Sequence, residues 1–187
     1  MDAAPPAASS VAPAVVILMG VSGSGKSTIG TVLAAQLRWE FTDADRFHPP
    51  ANVEKMHKGI PLTDDDRWPW LDAIAAWIDE TRRSGGHSVL ACSALKRRYR
   101  DVLIGDRRDV RLVFLKGEEA LIARRIVARH GHFMPPSLLH SQFEALEEPA
   151  PDENPIVVSI EPAPDEIVAQ IMKALNLAPA TRVSAGR

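Results

Sequence analysis

Cysteine is nearly absent from this chain of 187 residues, which has a single copy, Cys92. One cysteine excludes an intramolecular disulfide framework and a zinc site built from cysteines. It is compatible with a reducing compartment. The chain also lacks the basic start and apolar core of a signal peptide, and no apolar run approaches the ~20 residues that a membrane helix needs. These absences predict a cytoplasmic protein with no membrane partner.

Neither sign of charge is in large excess, because the formal net charge is -2. Composition therefore gives no indication of a nucleic-acid partner. Hydrophobic residues make up 45% of the chain and charged residues 25%, as in an ordinary globular protein. The Ala- and Pro-rich residues 1–12 predict a disordered tail. We expect a single domain over residues 13–176 and a flexible tail over residues 177–187.

Short apolar runs alternate with longer amphipathic runs along the chain. The spacing predicts strands at residues 14–19, 39–42, 88–92, 111–115 and 156–160. It predicts helices at residues 27–38, 69–83, 93–103, 118–130 and 164–175. This alternation predicts an α/β fold with a five-stranded parallel sheet flanked by helices on both faces. Ligands of such sheets bind at the carboxyl ends of the strands.

A glycine-rich segment, GVSGSGKS at residues 20–27, follows the first strand and opens the first helix. It matches G-x-x-x-x-G-K-[ST], the phosphate-binding loop of P-loop NTPases. Glycines let such a loop turn its N–H groups toward phosphates, and the helix N-terminus favours anions. The alternative is a glycine-rich turn that precedes a lysine by chance. We assign ATP binding, with Lys26 also catalytic and Ser27 also a Mg²⁺ ligand, to Gly20, Val21, Ser22, Gly23, Ser24, Gly25, Lys26, Ser27 and Thr28.

Two carboxylates, Asp43 and Asp45, follow the second strand at the expected ligand-binding edge. Residues two apart on an extended segment point the same way, so both are expected to face the phosphates. One would position Mg²⁺ and the other would accept the proton of an attacking hydroxyl. The alternative for either residue is capping of the following turn. We assign Asp43 to the metal and Asp45 to the base, and the sequence leaves the reverse assignment open.

The later motifs carry a family resemblance. They are DADRFH at residues 43–48, PLTDDDR at 61–67, CSALK at 92–96, RIVAR at 125–129 and SQF at 141–143. In this order the set resembles bacterial gluconate kinases, or gluconokinases, over about residues 15–175. The resemblance implies ATP-dependent phosphorylation of D-gluconate at its 6-hydroxyl. It also implies a nucleoside-monophosphate-kinase-like fold with a lid, here about residues 124–142, and commonly a homodimer.

Basic residues near the third strand suit a small polyol that carries one carboxylate. Lys96 and Arg100, with Ser93, would share one helix face if the helix began at residue 93. Arg67 could clamp a carboxylate with two hydrogen bonds. The alternative for Lys96 and Arg100 is a solvated basic face or a nucleic-acid patch, which the net charge disfavours. We expect Arg97 and Arg98 to be solvated.

The remaining candidates are weaker. His48 is a candidate for binding a substrate hydroxyl, with a structural role as the alternative, and Met56 could line the pocket or belong to the core. The resemblance pairs two arginines one helical turn apart. Arg129 would contact the transferring phosphoryl group, and Arg125 would stack on adenine or hold the triphosphate. Further substrate candidates are His132 and Gln142.

Other functions are open on the motifs alone. Shikimate kinase also uses D-x-D after strand two, but it has a Gly-rich turn where this chain has residues 92–96, CSALK. A nucleotide kinase would need a base-reading site, which no motif indicates. A GTP-binding switch would need D-x-x-G and N-K-x-D, and this sequence contains neither. A nucleotide-sensing module would have no need for the paired acids.

Overall fold

The computed structural model describes residues 12–128 and 136–180, and within them five strands form one parallel sheet. Its strand order is β2-β3-β1-β4-β5, and each neighbouring pair is parallel. The central strands β1 and β3 are buried throughout, as strands covered on both faces must be. The predicted α/β class is confirmed. The strands are β1 Val15–Met19, β2 Glu40–Asp43, β3 Ser88–Ala91, β4 Val110–Lys116 and β5 Ile156–Ser159.

Helices cover both faces of this sheet. Leu33 of α1 and Ile171 of α7 belong to one apolar cluster, and Ile78 of α3 and Leu103 of α4 belong to the other. None of the helices in the described residues is long and apolar enough to cross a membrane. The helices are α1 Lys26–Leu37, α2 Pro50–His57, α3 Asp64–Arg83, α4 Arg97–Leu103, α5 Glu119–Ala128, α6 Pro136–Ala145 and α7 Pro164–Ala174.

Two helix starts differ from the prediction, each for a local reason. Helix α3 begins at Asp64 rather than at residue 69, because Thr63 and Asp66 form a reciprocal capping box. Helix α4 begins at Arg97 rather than at residue 93. Ala94 lies in the left-handed region with φ 44, and Lys96 is extended, so the chain turns before the helix can start. Helix α2 was not predicted.

An ion-pair cluster joins the end of α3 to the turn before β4, on the side of the sheet away from the strand carboxyl ends. Arg107 donates from Nε and Nη2 to the two Asp79 carboxylate oxygens at 2.7 Å each. Arg82 donates to Asp79 at 3.1 Å and to Asp109 at 2.7 Å. Hydrogen bonding from Arg107 is the main reason that the pKa of Asp79 falls to about 2. This cluster therefore requires the ionised carboxylate.

Replacing Asp79 with asparagine is expected to lower the free energy of unfolding at pH 7 by about 1 kcal/mol or less, because the pair is partly exposed. The native carboxylate is stabilising above its unfolded pKa of about 4, and this stabilisation is lost as the pH falls toward about 2. Urea unfolding should therefore show a difference from wild type that shrinks between pH 5 and pH 3. The exposed Asp72, changed to asparagine, is the control. A difference that stays constant with pH would contradict this account.

Candidate active site

The carboxyl ends of β2 and β3 open into a cavity of about 570 Å³, which we call the larger cavity. The phosphate loop and α1 form one wall, α3 and the segment before it a second, and α6 a third. This space brings together most of the predicted site residues. Those that line it are Ser22, Gly23, Gly25, Lys26, Ser27, Asp43, Asp45, His48, Met56, Arg67 and Gln142.

A second space of about 390 Å³, the smaller cavity, lies on the other side of the loop. Arg125 lines it and donates from Nη2 to the Ile160 carbonyl at 2.8 Å. Gly23 and Gly25 line both cavities, so the loop separates the two spaces. Other predicted ATP-site residues along the smaller cavity are Ser24 and Thr28.

The loop takes its shape from residues that only glycine suits. Gly23 has φ +81, and a Cβ there would lie 2.7 Å from Cγ1 of Ile126 on α5. Lys26 is folded back over the loop, where its Nζ donates to the carbonyls of Gly20 at 3.0 Å and Val21 at 2.9 Å. Burial lowers the pKa of the Lys26 ammonium group, and the carboxylates of Asp45 and Asp43 act in the opposite direction. These two hydrogen bonds hold the ammonium group beside the phosphate loop, next to the larger cavity.

Asp43 has two roles in the structure. Its Oδ2 accepts a hydrogen bond from Ser27 Oγ at 3.1 Å, and its Oδ1 accepts one from Asp45 N at 3.0 Å. The second bond caps a 3₁₀ turn over Ala44–Phe47. The expectation that both acids lie on an extended segment is therefore wrong, since Asp45 lies in this turn. Both acids nevertheless face the larger cavity.

Asp45 stands in the larger cavity with 85% of its side chain exposed. The protein around it still displaces part of its hydration, which raises the pKa of Asp45, and the neighbouring Asp43 raises it further. His48 and Lys26 oppose this shift. A carboxylate of raised pKa that is open to the cavity is suited to take a proton from a bound hydroxyl.

His48 is fixed beside Asp45 by contacts that the sequence did not reveal. Its ring stacks on Trp70 with 4.5 Å between centroids, and burial lowers its pKa. Asn52 Nδ2 donates to the Asp66 carbonyl at 2.7 Å and also lies 3.4 Å from His48 Nδ1. Because Nδ2 is a donor, Nδ1 of the neutral ring accepts and Nε2 carries the proton. This Nε2 lies 3.9 Å from the Asp45 carboxylate.

The predicted substrate role of Arg100 is wrong. The side chain is buried, with Nε and Nη2 bound to the Glu153 carboxylate at 2.5 and 2.9 Å. Its Nη1 donates to the carbonyls of Ala94, Leu95 and Glu147. Because α4 begins only at residue 97, Arg100 points inward and does not share a helix face with Ser93. It holds the turn before α4 against the segment after α6.

Of the other basic residues in this region, Arg67 lines the larger cavity, whereas the rest pair with acids outside it. Lys96 Nζ pairs with Asp64 at 3.2 Å and does not line the larger cavity, so its substrate role remains a prediction. Arg97 and Arg98, expected to be solvated, form exposed ion pairs with acids. Arg67 lines the larger cavity and donates from Nη1 to the Leu62 carbonyl at 2.5 Å.

Of the remaining predicted residues, the structure describes Met56 and Gln142. Met56 is 41% exposed and lines the larger cavity, so the alternative of a core residue is excluded. Gln142 reaches from α6 to the phosphate loop, where its Oε1 accepts from Ser22 N at 2.6 Å. Arg129 and His132 lie outside the described residues, so their roles remain predictions.

Comparisons with known proteins show the family to which this chain is similar. A family described as "AAA domain" matches residues 15–149. The gluconokinase of Gluconobacter oxydans is 47% identical over 161 residues, which cover 86% of this chain and 90% of that protein. A crystal structure of a gluconokinase from Sinorhizobium meliloti has a TM-score of 0.80 and 44% identity, covering 88% of this chain and 92% of that one. A shikimate kinase from Aquifex aeolicus shares the fold alone, with 17% identity and a TM-score of 0.53 over 87% and 96% of the two chains.

Proposed function

The chain belongs to the gluconokinase family, and from this premise we propose that it transfers the γ-phosphoryl group of ATP to the 6-hydroxyl of D-gluconate. One observation carries the proposal. The larger cavity holds the phosphate-loop residue Lys26, the open carboxylate of Asp45 and the guanidinium of Arg67 in a single space. A cation for the phosphates of the donor, a base for the attacking hydroxyl and a cation for the acceptor carboxylate are the groups that this reaction needs.

Asp45 is the proposed base. Its raised pKa brings it closer to the working pH than an ordinary aspartate, which favours proton transfer from the 6-hydroxyl. Nε2 of His48, on the same side of the cavity, lies 3.9 Å from this carboxylate, which is beyond hydrogen-bond distance, so the carboxylate stays open to a bound hydroxyl. Because the pKa of His48 is lowered and its ring is neutral, it forms no ion pair with Asp45. The Asp45 carboxylate can therefore accept the proton of the substrate hydroxyl.

Charge on the moving phosphoryl group is met by Lys26 and by the loop N–H groups. Deleting one such group typically costs about 3–4 kcal/mol of transition-state stabilisation. Arg129 is proposed to add a second cation, on the basis of the family resemblance. Arg125 lines the smaller cavity, which supports a role in holding the adenine or the triphosphate.

Mg²⁺ is the proposed cofactor, and Ser27 and Asp43 would hold it. Both offer oxygen atoms at one edge of the larger cavity, with Oγ and Oδ2 3.1 Å apart. The fit is chemical: Mg²⁺ prefers oxygen ligands and in kinases takes one or two from the protein, with the rest from phosphates and water. When bound, the ion neutralises charge on the triphosphate.

Gluconate is proposed to lie between Asp45 and Arg67, with its carboxylate toward the arginine. Met56 and His48 would line its carbon chain and hydroxyls. We also propose a cytoplasmic location and a homodimer, which rest on the composition and the family resemblance respectively. No nucleic-acid partner is proposed, since the net charge is -2.

A coupled ADP-release assay tests the proposed function. It compares D-gluconate, shikimate, nucleoside monophosphates and no acceptor at equal ATP and Mg²⁺. We expect strong stimulation of ATP turnover by D-gluconate and background rates with the others. A preference for shikimate would favour the alternative kinase, and background turnover with every acceptor would favour a nucleotide-binding module.

A further inference from the structure

Gln142 joins helix α6 to the phosphate loop by one short hydrogen bond. Its Oε1 lies 2.6 Å from the backbone nitrogen of Ser22. A backbone N–H can only donate, so the atom facing it must be the amide oxygen. The Gln142 side chain therefore has a fixed orientation, and its Nε2, which is only a donor, is at the other side of the amide.

The position of this bond is informative. Ser22 lines the larger cavity and is absent from the lining of the smaller one, whereas Gly23 and Gly25 line both. The Ser22 N–H thus lies on the acceptor side of the loop. Gln142, with Ser141 and Ala145, forms the α6 wall of the same cavity. Among the described residues, no hydrogen bond from Gln142 Nε2 to a protein atom occupies this donor.

We propose that Gln142 is a specificity-determining residue that donates from Nε2 to an oxygen atom of the bound acceptor, with Oε1 anchored on the Ser22 N–H. The inference rests on the proposed function and extends it. The anchor prevents the amide from rotating by 180°, so the site presents a donor at this point and selects a ligand with an oxygen acceptor there. A polyol hydroxyl or carboxylate oxygen satisfies this requirement. The same bond fixes the position of helix α6, which lines the acceptor side of the larger cavity, relative to the phosphate loop.

The Gln142→Glu variant tests this role when kcat/KM for gluconate is measured at saturating ATP and KM for ATP is followed in parallel, since its carboxylate also lies beside the phosphate loop. Its ionised carboxylate still accepts from Ser22 N–H but offers the acceptor an oxygen instead of a donor. Its protonated carboxyl restores both functions. The ratio of kcat/KM for gluconate, variant over wild type, should therefore rise as the pH falls from 8 to 5.5, by up to about tenfold per unit above the carboxyl pKa. Titration of the base affects both enzymes, and the acid limb of each profile gives the pKa of the base with which the ratio is corrected.

Two further variants complete the test. Gln142→Met removes both hydrogen bonds and should raise KM for gluconate by about 2–10-fold, with a smaller change in KM for ATP and a ratio to wild type that is flat with pH. Glu144→Gln, on an exposed position of the same helix, should match wild type throughout. Thermal melting of each variant shows that it is folded.

A flat pH ratio for Gln142→Glu would overturn the inference, as would tighter ATP binding by Gln142→Met with KM for gluconate unchanged. The latter result would mean that Gln142 Oε1 only takes the place of a phosphate oxygen on the Ser22 N–H when no ATP is bound. A wild type inactive toward gluconate overturns the proposed function together with this inference. An active wild type with a flat ratio overturns only the role of Gln142.

Discussion

Replacing Asp45 with asparagine is expected to lower kcat for gluconate phosphorylation by about 10²- to 10⁴-fold, the usual contribution of a general base. Asparagine keeps the shape of the side chain and removes its capacity to take a proton. Since the carboxylate is mostly exposed in the cavity, the protein should fold normally. KM for ATP should change little, because Asp45 faces the acceptor side. Steady-state kinetics with both substrates varied give these values.

The control for this variant is Asp43→Asn, which also addresses the reverse assignment of the two acids. Asp43 binds Ser27 Oγ, so its loss should raise the Mg²⁺ concentration needed for half-maximal activity, and added Mg²⁺ should restore part of the rate. Asp45→Asn should not respond to Mg²⁺. Near-full turnover by Asp45→Asn would show that Asp45 is not the base, and a Mg²⁺ response confined to Asp45→Asn would exchange the two roles.

The fall of kcat/KM at low pH is a further test of Asp45 as the base. The base works when it is deprotonated, so kcat/KM should fall as the pH falls through the pKa of Asp45. That pKa is raised above its ordinary value of 3.8 by partial loss of hydration and by Asp43. The acid limb of wild type should therefore have its midpoint above pH 3.8, and this limb should be absent from the residual activity of Asp45→Asn.

Replacing Arg100 with alanine is expected to lower the free energy of unfolding by about 3–5 kcal/mol, the usual cost of breaking a buried ion pair from one side. Side-chain exposure is 1% for Arg100 and 8% for Glu153, so the glutamate would be left buried without its partner. The carbonyls of Ala94 and Leu95 would also lose a donor. Urea unfolding at pH 7 measures the loss.

The matched control is Arg97→Ala on the same helix. Arg97 also forms two hydrogen bonds to a carboxylate, that of Asp152, but this pair is exposed to solvent. Its loss should lower stability far less than the loss of Arg100, because solvent screens an exposed pair. If Arg100→Ala were as stable as wild type and instead raised KM for gluconate, the original prediction of a substrate-binding arginine would be restored.

The parts of the fold and site that the sequence predicted depend on short segments of chain. The loop 20–27 has a fixed glycine pattern between a strand and a helix, and that pattern alone specifies the cradle. The five strands are short runs bounded by helical patterns, so their number follows from periodicity and their parallel arrangement from the alternation of strands with helices. The edge position of Asp43 and Asp45 follows from the end of β2.

The parts that the sequence could not predict depend on contacts between distant segments. A helix starting at residue 93 has acceptable periodicity, but the left-handed Ala94 and the bonds from Arg100 to Glu147 and Glu153 prevent it. These partners are about 50 residues away. The fixing of His48 by Asn52 is closer along the chain. It became visible only once α2 was known, and Pro50 at the start of that helix was the one available signal.

The most direct test of the central claim identifies the product of the wild-type reaction with ATP and D-gluconate by ³¹P NMR. Phosphorylation at the 6-hydroxyl attaches phosphorus to a methylene carbon, so its signal should be split into a triplet by the two methylene protons. We predict this triplet, growing as ADP forms. A doublet would place the phosphate on a secondary hydroxyl, and inorganic phosphate alone would mean ATP hydrolysis; either result would contradict the proposal that Asp45 activates the terminal hydroxyl of gluconate.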